Sequence, residues 1–206
     1  FIIEPHARGT ASVVGLAAVV IEKLDPKAVM AVLTADHFIK DEARFRQLLS
    51  DAYRVAISDI LVTLGIEPTF PATGFGYIQQ GDALEQFTDL QVYKVLRFKE
   101  KPDEAQAREM LGSGDHAWNS GMFVWRVETI MAEFKQQMPA LHHSLCVIKD
   151  SLGKDNAEQL LLEEWNRLIP ETIDYGIMER AQQVAVIPAG GWGWSDVGSL
   201  DSLFDV

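Results

Sequence analysis

Apolar positions change their period several times along the chain, and each change predicts an element. Phe1–Glu4 reads as a short buried strand ended by Pro5. From Thr10, a residue suited to capping, Val14, Ala17, Ala18 and Ile21 recur at helical spacing until Asp25-Pro26 breaks the run. Ala28–Leu33 is continuously apolar, the pattern of a strand covered on both faces, as in parallel sheets. Asp41 then caps an amphipathic helix through Phe45, Leu48, Leu49, Ala52 and Val55, and Ile60–Ile66 is another apolar strand. Strand and helix alternating over short connections predict an α/β sheet with right-handed crossovers.

The pattern then changes. Gly74–Gln80 and Val92–Lys99 read as strands with no long helix between them, so the sheet is expected to be mixed, though mostly parallel, and flanked by helices. Pro102-Asp103 opens a helix to about Leu111, closed by Gly112. Gly121–Val127 is a strand, and Glu128–Arg167 is largely helical with breaks at Pro139 and Gly153. Val184–Ile187 is the last short strand before the glycine-rich Ala189–Gly193. With no Pro/Ser-rich linker, residues 1–206 read as a single domain.

Composition narrows the function classes. The chain is 48% hydrophobic and 23% charged, enough to bury a core. Its net charge of −12 argues against the basic face a nucleic-acid binder needs, while leaving room for local anion sites. The one cysteine, Cys146, excludes an internal disulfide and a four-cysteine zinc site and fits a cytoplasmic protein. The longest nearly apolar run, Ala11–Ile21, is far short of the ~20 residues of a membrane helix, so no membrane partner is expected. The run has no basic region before it either, so it is not a secretory signal.

Several polar clusters lie where strands end, and in open α/β sheets ligands bind outside those carboxyl ends. In Leu33-Thr34-Ala35-Asp36-His37 the carboxylate of Asp36 can hold a divalent metal on a phosphate, or simply cap a turn. In Phe98-Lys99-Glu100-Lys101-Pro102 a lysine suits a phosphate monoester and Glu100 suits sugar hydroxyls; a solvated charge run reads equally well. Asn119 in Trp118–Phe123 offers donor and acceptor together, in what is otherwise an ordinary loop-to-strand entry. In Gly190–Ser199 the glycines match neither G-x-G-x-x-G nor a Walker loop, but they can place Asp196 rigidly. Thr73–Tyr77 exposes backbone at a ligand wall or forms a tight turn. No nucleophile-elbow sequence accompanies Ser144 and Cys146, and His142-His143 has no metal-ligand spacing. Met110, Met122 and Met131 read as core residues.

Taken together and in order, these stretches resemble the mannose-1-phosphate guanylyltransferase (GDP-mannose pyrophosphorylase) family. Glu4–Ala11 resembles its E-P-x-x-R-[NG]-T-A segment, and Thr34-Ala35-Asp36-His37 its P-A-D-H. Gly65-Ile66-x-Pro68-Thr69 with Thr73–Ile78 resembles G-I-x-P-T…T-G-Y-G-Y-I. Phe98-x-Glu100-Lys101-Pro102, Trp118–Phe123, Asp174–Glu179 and Trp194–Gly198 complete the set. Thr34 stands where the family has proline, and Phe75 where it has tyrosine. The family's glycine-rich G-x-G-x-R-x-x-P loop, which grips the nucleotide triphosphate, is not found, so the domain is expected to be incomplete at the N-terminus and inactive alone.

The resemblance implies a Rossmann-like fold of the nucleotide-sugar transferase type. It also implies transfer of a guanylyl group from GTP to mannose 1-phosphate, giving GDP-mannose and pyrophosphate. It implies Mg²⁺ held by Asp36 and Asp196, and Lys101 on the sugar 1-phosphate. Gly76, Glu100 and Asn119 would orient the hexose, with Asp174 assisting. Glu4, Arg8, Gly9 and Thr10 would line the nucleotide pocket. Other readings are a pyrophosphorylase for another sugar or nucleotide, a sugar-nucleotide-binding module without turnover, or an interaction subunit. A homo-oligomer is compatible with all of them.

Overall fold

The computed structural model describes residues 1–197 of the chain. They form two compact units, one of residues 1–30 with 125–182, the other of residues 31–124 with 183–197.

The first unit is helical: α1 (Thr10–Leu24), α4 (Val127–Gln137), α5 (Pro139–Ser151) and α6 (Ala157–Arg167), then a π-helical turn at Asp174–Met178. Val14, Leu16, Ala18 and Val19 of α1 are buried with Ile130 and Phe134 of α4 and Leu145 and Ile148 of α5. A Cβ at Gly15 would lie 2.5 Å from Leu145 Cδ1, so α1 and α5 meet across a glycine. Thr10 does not cap α1 as expected. Gly9 holds the N-cap position without a side-chain bond, and Thr10 Oγ1 instead accepts from the Ile173 amide at 2.9 Å. Phe1–Glu4 is not a strand either. Phe1 and Ile3 are exposed and no described strand pairs with them, and without a partner an apolar run gains nothing from extending.

The second unit is built on a sheet of β1 (Val29–Val32, which begins in the first unit's residues), β3 (Leu61–Ile66), β4 (Tyr77–Ala83), β5 (Tyr93–Lys99), β6 (His116–Arg126, whose last two residues belong to the first unit) and β7 (Val184–Pro188). The strand order is β1-β6-β3-β7-β5-β4, and β4 also pairs with β6. The expected mixed sheet is present, but its pairing is more antiparallel than the strand–helix alternation predicts. β3–β7 runs parallel, while β3–β6, β4–β5, β4–β6 and β5–β7 run antiparallel. All six residues of β3 are buried, as a central strand requires. On it packs α2 (Glu42–Ala56) through Leu48, Ala52 and Val55; as expected, Asp41 caps this helix by accepting from the Arg44 amide at 2.9 Å. Asp103 does the same for α3 (Glu104–Ser113).

Three boundaries differ from expectation. The strand placed at Gly74–Gln80 starts at Tyr77, because residues 74–76 remain irregular and pairing with Lys99 and Trp118 begins only there. α3 runs through Gly112 and ends at Gly114, whose φ of 75° supplies the left-handed cap. The strand expected from Gly121 starts at His116, so Trp118–Phe123 is strand interior rather than an entry loop. Apart from this sheet, β2 (Phe38–Ile39), just before α2, pairs antiparallel with β8 (Trp194–Ser195), which follows β7.

Candidate functional site

Two sets of candidate residues emerge, one in each unit. In the second unit, β4, β5 and β6 bring three of them together. Tyr77 pairs with both Lys99 and Trp118, which places Gly76 beside Glu100 and Asn119. The Gly76 carbonyl accepts from the Asn119 amide at 2.8 Å. A Cβ on Gly76 would sit 2.5 Å from Glu100 Oε2 and 3.3 Å from Asn119 Cβ, so glycine is what permits the approach. Asn119 is fixed in turn, its Oδ1 accepting from Thr63 Oγ1 at 3.2 Å and from the Gly121 amide at 3.1 Å. The Glu100 side chain is 14% exposed and that of Lys101 is 64% exposed, with Nζ 3.9 Å from Glu100 Oε1. At that distance, and with one partner in water, the pair is weak, and the ammonium remains available to an anion.

Asp36 and Asp196 flank the same end of a two-stranded ribbon. Phe38 pairs with Ser195 and Ile39 with Trp194, so the residues just outside the ribbon, Asp36 before it and Asp196 after it, lie at the same end. His37 between them reports both: burial pushes its imidazole below the ordinary value, against the opposing pull of Asp36 and Asp196. Trp194 Nε1 donates to His37 Nδ1 at 3.1 Å, with the two rings edge to face at 5.2 Å. Neither aspartate forms an ion pair among the described residues, and those residues contain no cluster of three or more His, Cys, Asp or Glu able to cage a metal. Two carboxylates on adjoining turns fit a cation such as Mg²⁺ that keeps water and phosphate oxygens as its other ligands.

Backbone strain falls beside these groups. Lys101 (φ 43°) and Val197 (φ 48°) both lie in the left-handed region, which a β-branched valine rarely enters. The Val197 amide is tied to Ser195 Oγ at 3.2 Å, closing a turn around Asp196. Strain of this kind persists where surrounding structure holds it, commonly at ligand sites.

A cleft of about 600 Å³ runs beside Asp196. Thr69, Thr73, Ser195 and Glu67 supply its polar groups, and Phe70, Phe75, Trp118 and Trp194 its walls. These rings form a chain, with Phe70–Trp118 centroids at 4.9 Å, Phe75–Trp118 at 5.0 Å and Phe75–Trp194 at 5.8 Å. The indole nitrogen of Trp118, only 4% exposed, has no hydrogen-bond partner among the described residues. Sequence reasoning assigned none of these aromatic residues, nor His37, a role. The available signal was Trp194 inside a glycine-rich stretch; its neighbour Trp192 is a core residue, 2% exposed and packed on Phe45. Gly198, at the end of the Trp194–Gly198 motif, lies outside the described residues.

The first unit holds the remaining candidates. Gly9 has φ 81°, and a Cβ there would fall 2.2 Å from the Glu171 carbonyl oxygen. The Ala11 amide donates to that same oxygen at 3.1 Å, and Trp165 Nε1 donates to the His6 carbonyl at 2.6 Å. With the Thr10–Ile173 bond, these contacts fix Glu4–Thr10 against the segment that leads into Asp174. Arg8 reaches the Asn166 carbonyl at 3.3 Å, while its Nε and Glu4 Oε2 are buried without a hydrogen-bond partner among the described residues. Such atoms are uncommon in folded proteins and mark places where a ligand can complete the bonding.

The nucleotidyl transferase family model matches residues 1–206. A mannose-1-phosphate guanylyltransferase of Salmonella montevideo is 40% identical over 209 aligned positions, covering all of this chain and 43% of that protein. One from Escherichia coli K12 is 36% identical, also covering all of this chain and 43% of that protein. Among solved structures, a Thermus thermophilus protein described as a mannose-1-phosphate geranyltransferase superposes with a TM-score of 0.86 at 32% identity, over 98% of this chain and 56% of that one. A Helicobacter pylori protein described as a mannose-6-phosphate isomerase gives 0.79 at 27% identity, over 94% and 72%. The chain thus spans about 43% of the length of the curated relatives it matches.

Proposed function

From the premise that this chain belongs to the nucleotidyl transferase family, we propose that it carries the sugar-phosphate and metal-binding part of a mannose-1-phosphate guanylyltransferase. The observation that supports this most is the convergence of Gly76, Glu100 and Asn119 beside Lys101, in the unit whose ribbon also joins Asp36 to Asp196.

A phosphate oxygen of mannose 1-phosphate attacks the α-phosphorus of GTP in line. The bond from that phosphorus to the bridging oxygen breaks, and pyrophosphate leaves with its electron pair. The attacking oxygen is already ionised, so no strong base is required, and the work of the protein is positioning and charge balance. Lys101 takes the sugar phosphate, its ammonium offsetting the charge that otherwise repels the triphosphate. Glu100 accepts from hexose hydroxyls, Asn119 fixes a further hydroxyl, and the bare backbone at Gly76 lets the ring come close. Asp36 and Asp196 would hold Mg²⁺, which would supply charge neutralisation at the reacting phosphate. Glu4, Arg8, Gly9 and Thr10 line the base and ribose pocket, where the Glu4 and Arg8 atoms that lack partners among the described residues meet guanine or ribose, and Asp174 assists in orienting the hexose. The single cysteine, Cys146, fits a cytoplasmic location for this reaction.

The test is pyrophosphate release by the full-length protein containing this chain, with each nucleoside triphosphate paired with each of several hexose 1-phosphates. Release that requires GTP, mannose 1-phosphate and a divalent cation together is the expected result. A preference for another base or sugar identifies a different pyrophosphorylase. Calorimetric binding of GDP-mannose without release under any pairing identifies a binding module instead.

A further inference from the structure

Asp36 and Asp196 are brought together by little backbone. The β2–β8 ribbon is two residues long on each side, extended only by the Lys40 amide to the Gly193 carbonyl at 3.2 Å and the Asp41 amide to the Trp192 carbonyl at 3.0 Å. A two-stranded ribbon is marginal by itself. Two like charges at one end of so short a ribbon add nothing that holds that end together. Something else must hold that end.

Resting on the assignment of Asp36 and Asp196 as the cation ligands, we propose that His37 and Trp194 form a positioning clamp that sets the separation of those carboxylates. His37 follows Asp36 directly, and Trp194 precedes Asp196 by two residues. Their side chains are joined by the 3.1 Å hydrogen bond from Nε1 to Nδ1 and by the edge-to-face ring contact. The clamp has its own support, since Trp194 packs on Phe75, which packs on Trp118. With Nδ1 occupied by the Trp194 donor, the imidazole carries its proton on Nε2, so His37 acts here through its bond to the indole rather than as a metal ligand. This is the outer hydrogen-bonding layer that orients metal ligands in many sites, here made of a histidine and an indole. The conformation of the cation site is thereby tied to an aromatic wall of the cleft.

The test is Mn²⁺ binding to the full-length protein, followed by electron paramagnetic resonance, with the Trp194 indole N–H followed by NMR after ¹⁵N labelling. Asp36→Asn and Asp196→Asn serve as references and should each weaken Mn²⁺ binding more than 10-fold. Trp194→Phe keeps the ring and removes the donor; it should weaken binding about 2- to 10-fold, the range for loss of one hydrogen bond. His37→Leu should do the same and shift the indole signal, whereas His37→Gln, with an amide oxygen to accept, should restore affinity to within about 2-fold. If Trp194→Phe does not fold, the contrast between His37→Gln and His37→Leu decides the matter alone. Unchanged Mn²⁺ affinity in both Trp194→Phe and His37→Leu, with loss in the aspartate variants, overturns the clamp and leaves the metal assignment standing. Loss in His37→Gln equal to that in the aspartate variants makes His37 a ligand and also overturns the clamp. Unchanged affinity in both aspartate variants overturns the metal assignment, and the clamp with it.

Discussion

In residues 31–124 and 183–197, candidate groups arrive from strands far apart in sequence, and strand register places Gly76, Glu100 and Asn119 in contact. In residues 1–30 and 125–182, they come from only two segments, Glu4–Thr10 and the turn at Asp174, bound by backbone hydrogen bonds and one tight glycine. The first arrangement leaves side chains adjustable while the sheet holds their backbone. The second makes the backbone itself the critical part. Substitutions should therefore separate chemistry from stability in the sheet unit and couple them in the helical unit.

The largest effect is expected at the carboxylates. Asp36→Ala and Asp196→Ala should each abolish cation-dependent pyrophosphate release, a loss of at least about 10²- to 10³-fold, comparable to removing other preorganised electrostatic groups. Their thermal unfolding should stay near that of the parent, because both side chains lack ion pairs among the described residues. Near-normal turnover in either variant at limiting Mg²⁺ would remove the assignment.

Lys101→Ala should raise KM for mannose 1-phosphate by roughly 10- to 150-fold while leaving that for GTP nearly unchanged, the scale of one charge-assisted hydrogen bond. Steady-state kinetics with each substrate varied checks this, and equal effects on both would indicate a structural role. A glycine pair probes the comparison directly. Gly9→Ala forces a Cβ into the Glu171 carbonyl at φ 81°, where neither atom can yield, and should cost ~1–3 kcal/mol in denaturant unfolding. Gly76→Ala meets side chains rather than backbone, the end of Glu100 at 2.5 Å and Asn119 Cβ at 3.3 Å, so it should cost less stability than Gly9→Ala while KM for the sugar phosphate rises on the order of 10-fold. Equal destabilisation by the two would erase the distinction between the units.

The smallest effect concerns acid. Asp115 has its carboxyl held down to about 2, from 3.8, first by the Ser113 hydroxyl and then by the Gln79 amide. A depressed folded-state value means its contribution is fully present above pH 3.8 and lost as pH falls toward 2. Because the group is open to solvent, the contribution is small. Asp115→Asn should flatten the acid limb of stability slightly between those values, because it lowers neutral-pH stability by that small contribution and leaves stability near pH 2 unchanged; an unaltered acid limb would show that the hydrogen bonds are equally strong to the neutral acid.

The elements most legible in the sequence were those whose reasons are local. Asp41 and Asp103 announce helix starts because a capping side chain bonds an amide three residues on. The apolar run at β3 announces a central strand, since all six residues are buried. Thr10 misled because its hydroxyl had a stronger use 163 residues away, on the Ile173 amide. Phe1–Glu4 misled because strand propensity without a pairing neighbour is not a strand. Candidate residues such as Asp36, Glu100 and Asn119 could be named from their positions after or within strands. That Glu100 touches Gly76, or that Trp194 bonds His37, depends on long-range register, which one sequence does not display. Trp118 illustrates the gap: its segment looked like a strand entry, yet it pairs with Ile66 on one side and Tyr77 on the other.

That double pairing bears on how the protein can change over generations. β6 meets β3 and β4 at once, so its spacing is shared by two neighbours, and Asn119 sits one residue beyond the shared rung. Side chains along β6 can be exchanged one at a time, each judged by its own fit. Losing or gaining one residue before Trp118 would turn the strand's inward set outward against both partners in a single step. Relatives that have drifted widely in composition should therefore still keep the count of residues from His116 to Asn119, and an alignment that opens a gap there should be treated as misaligned.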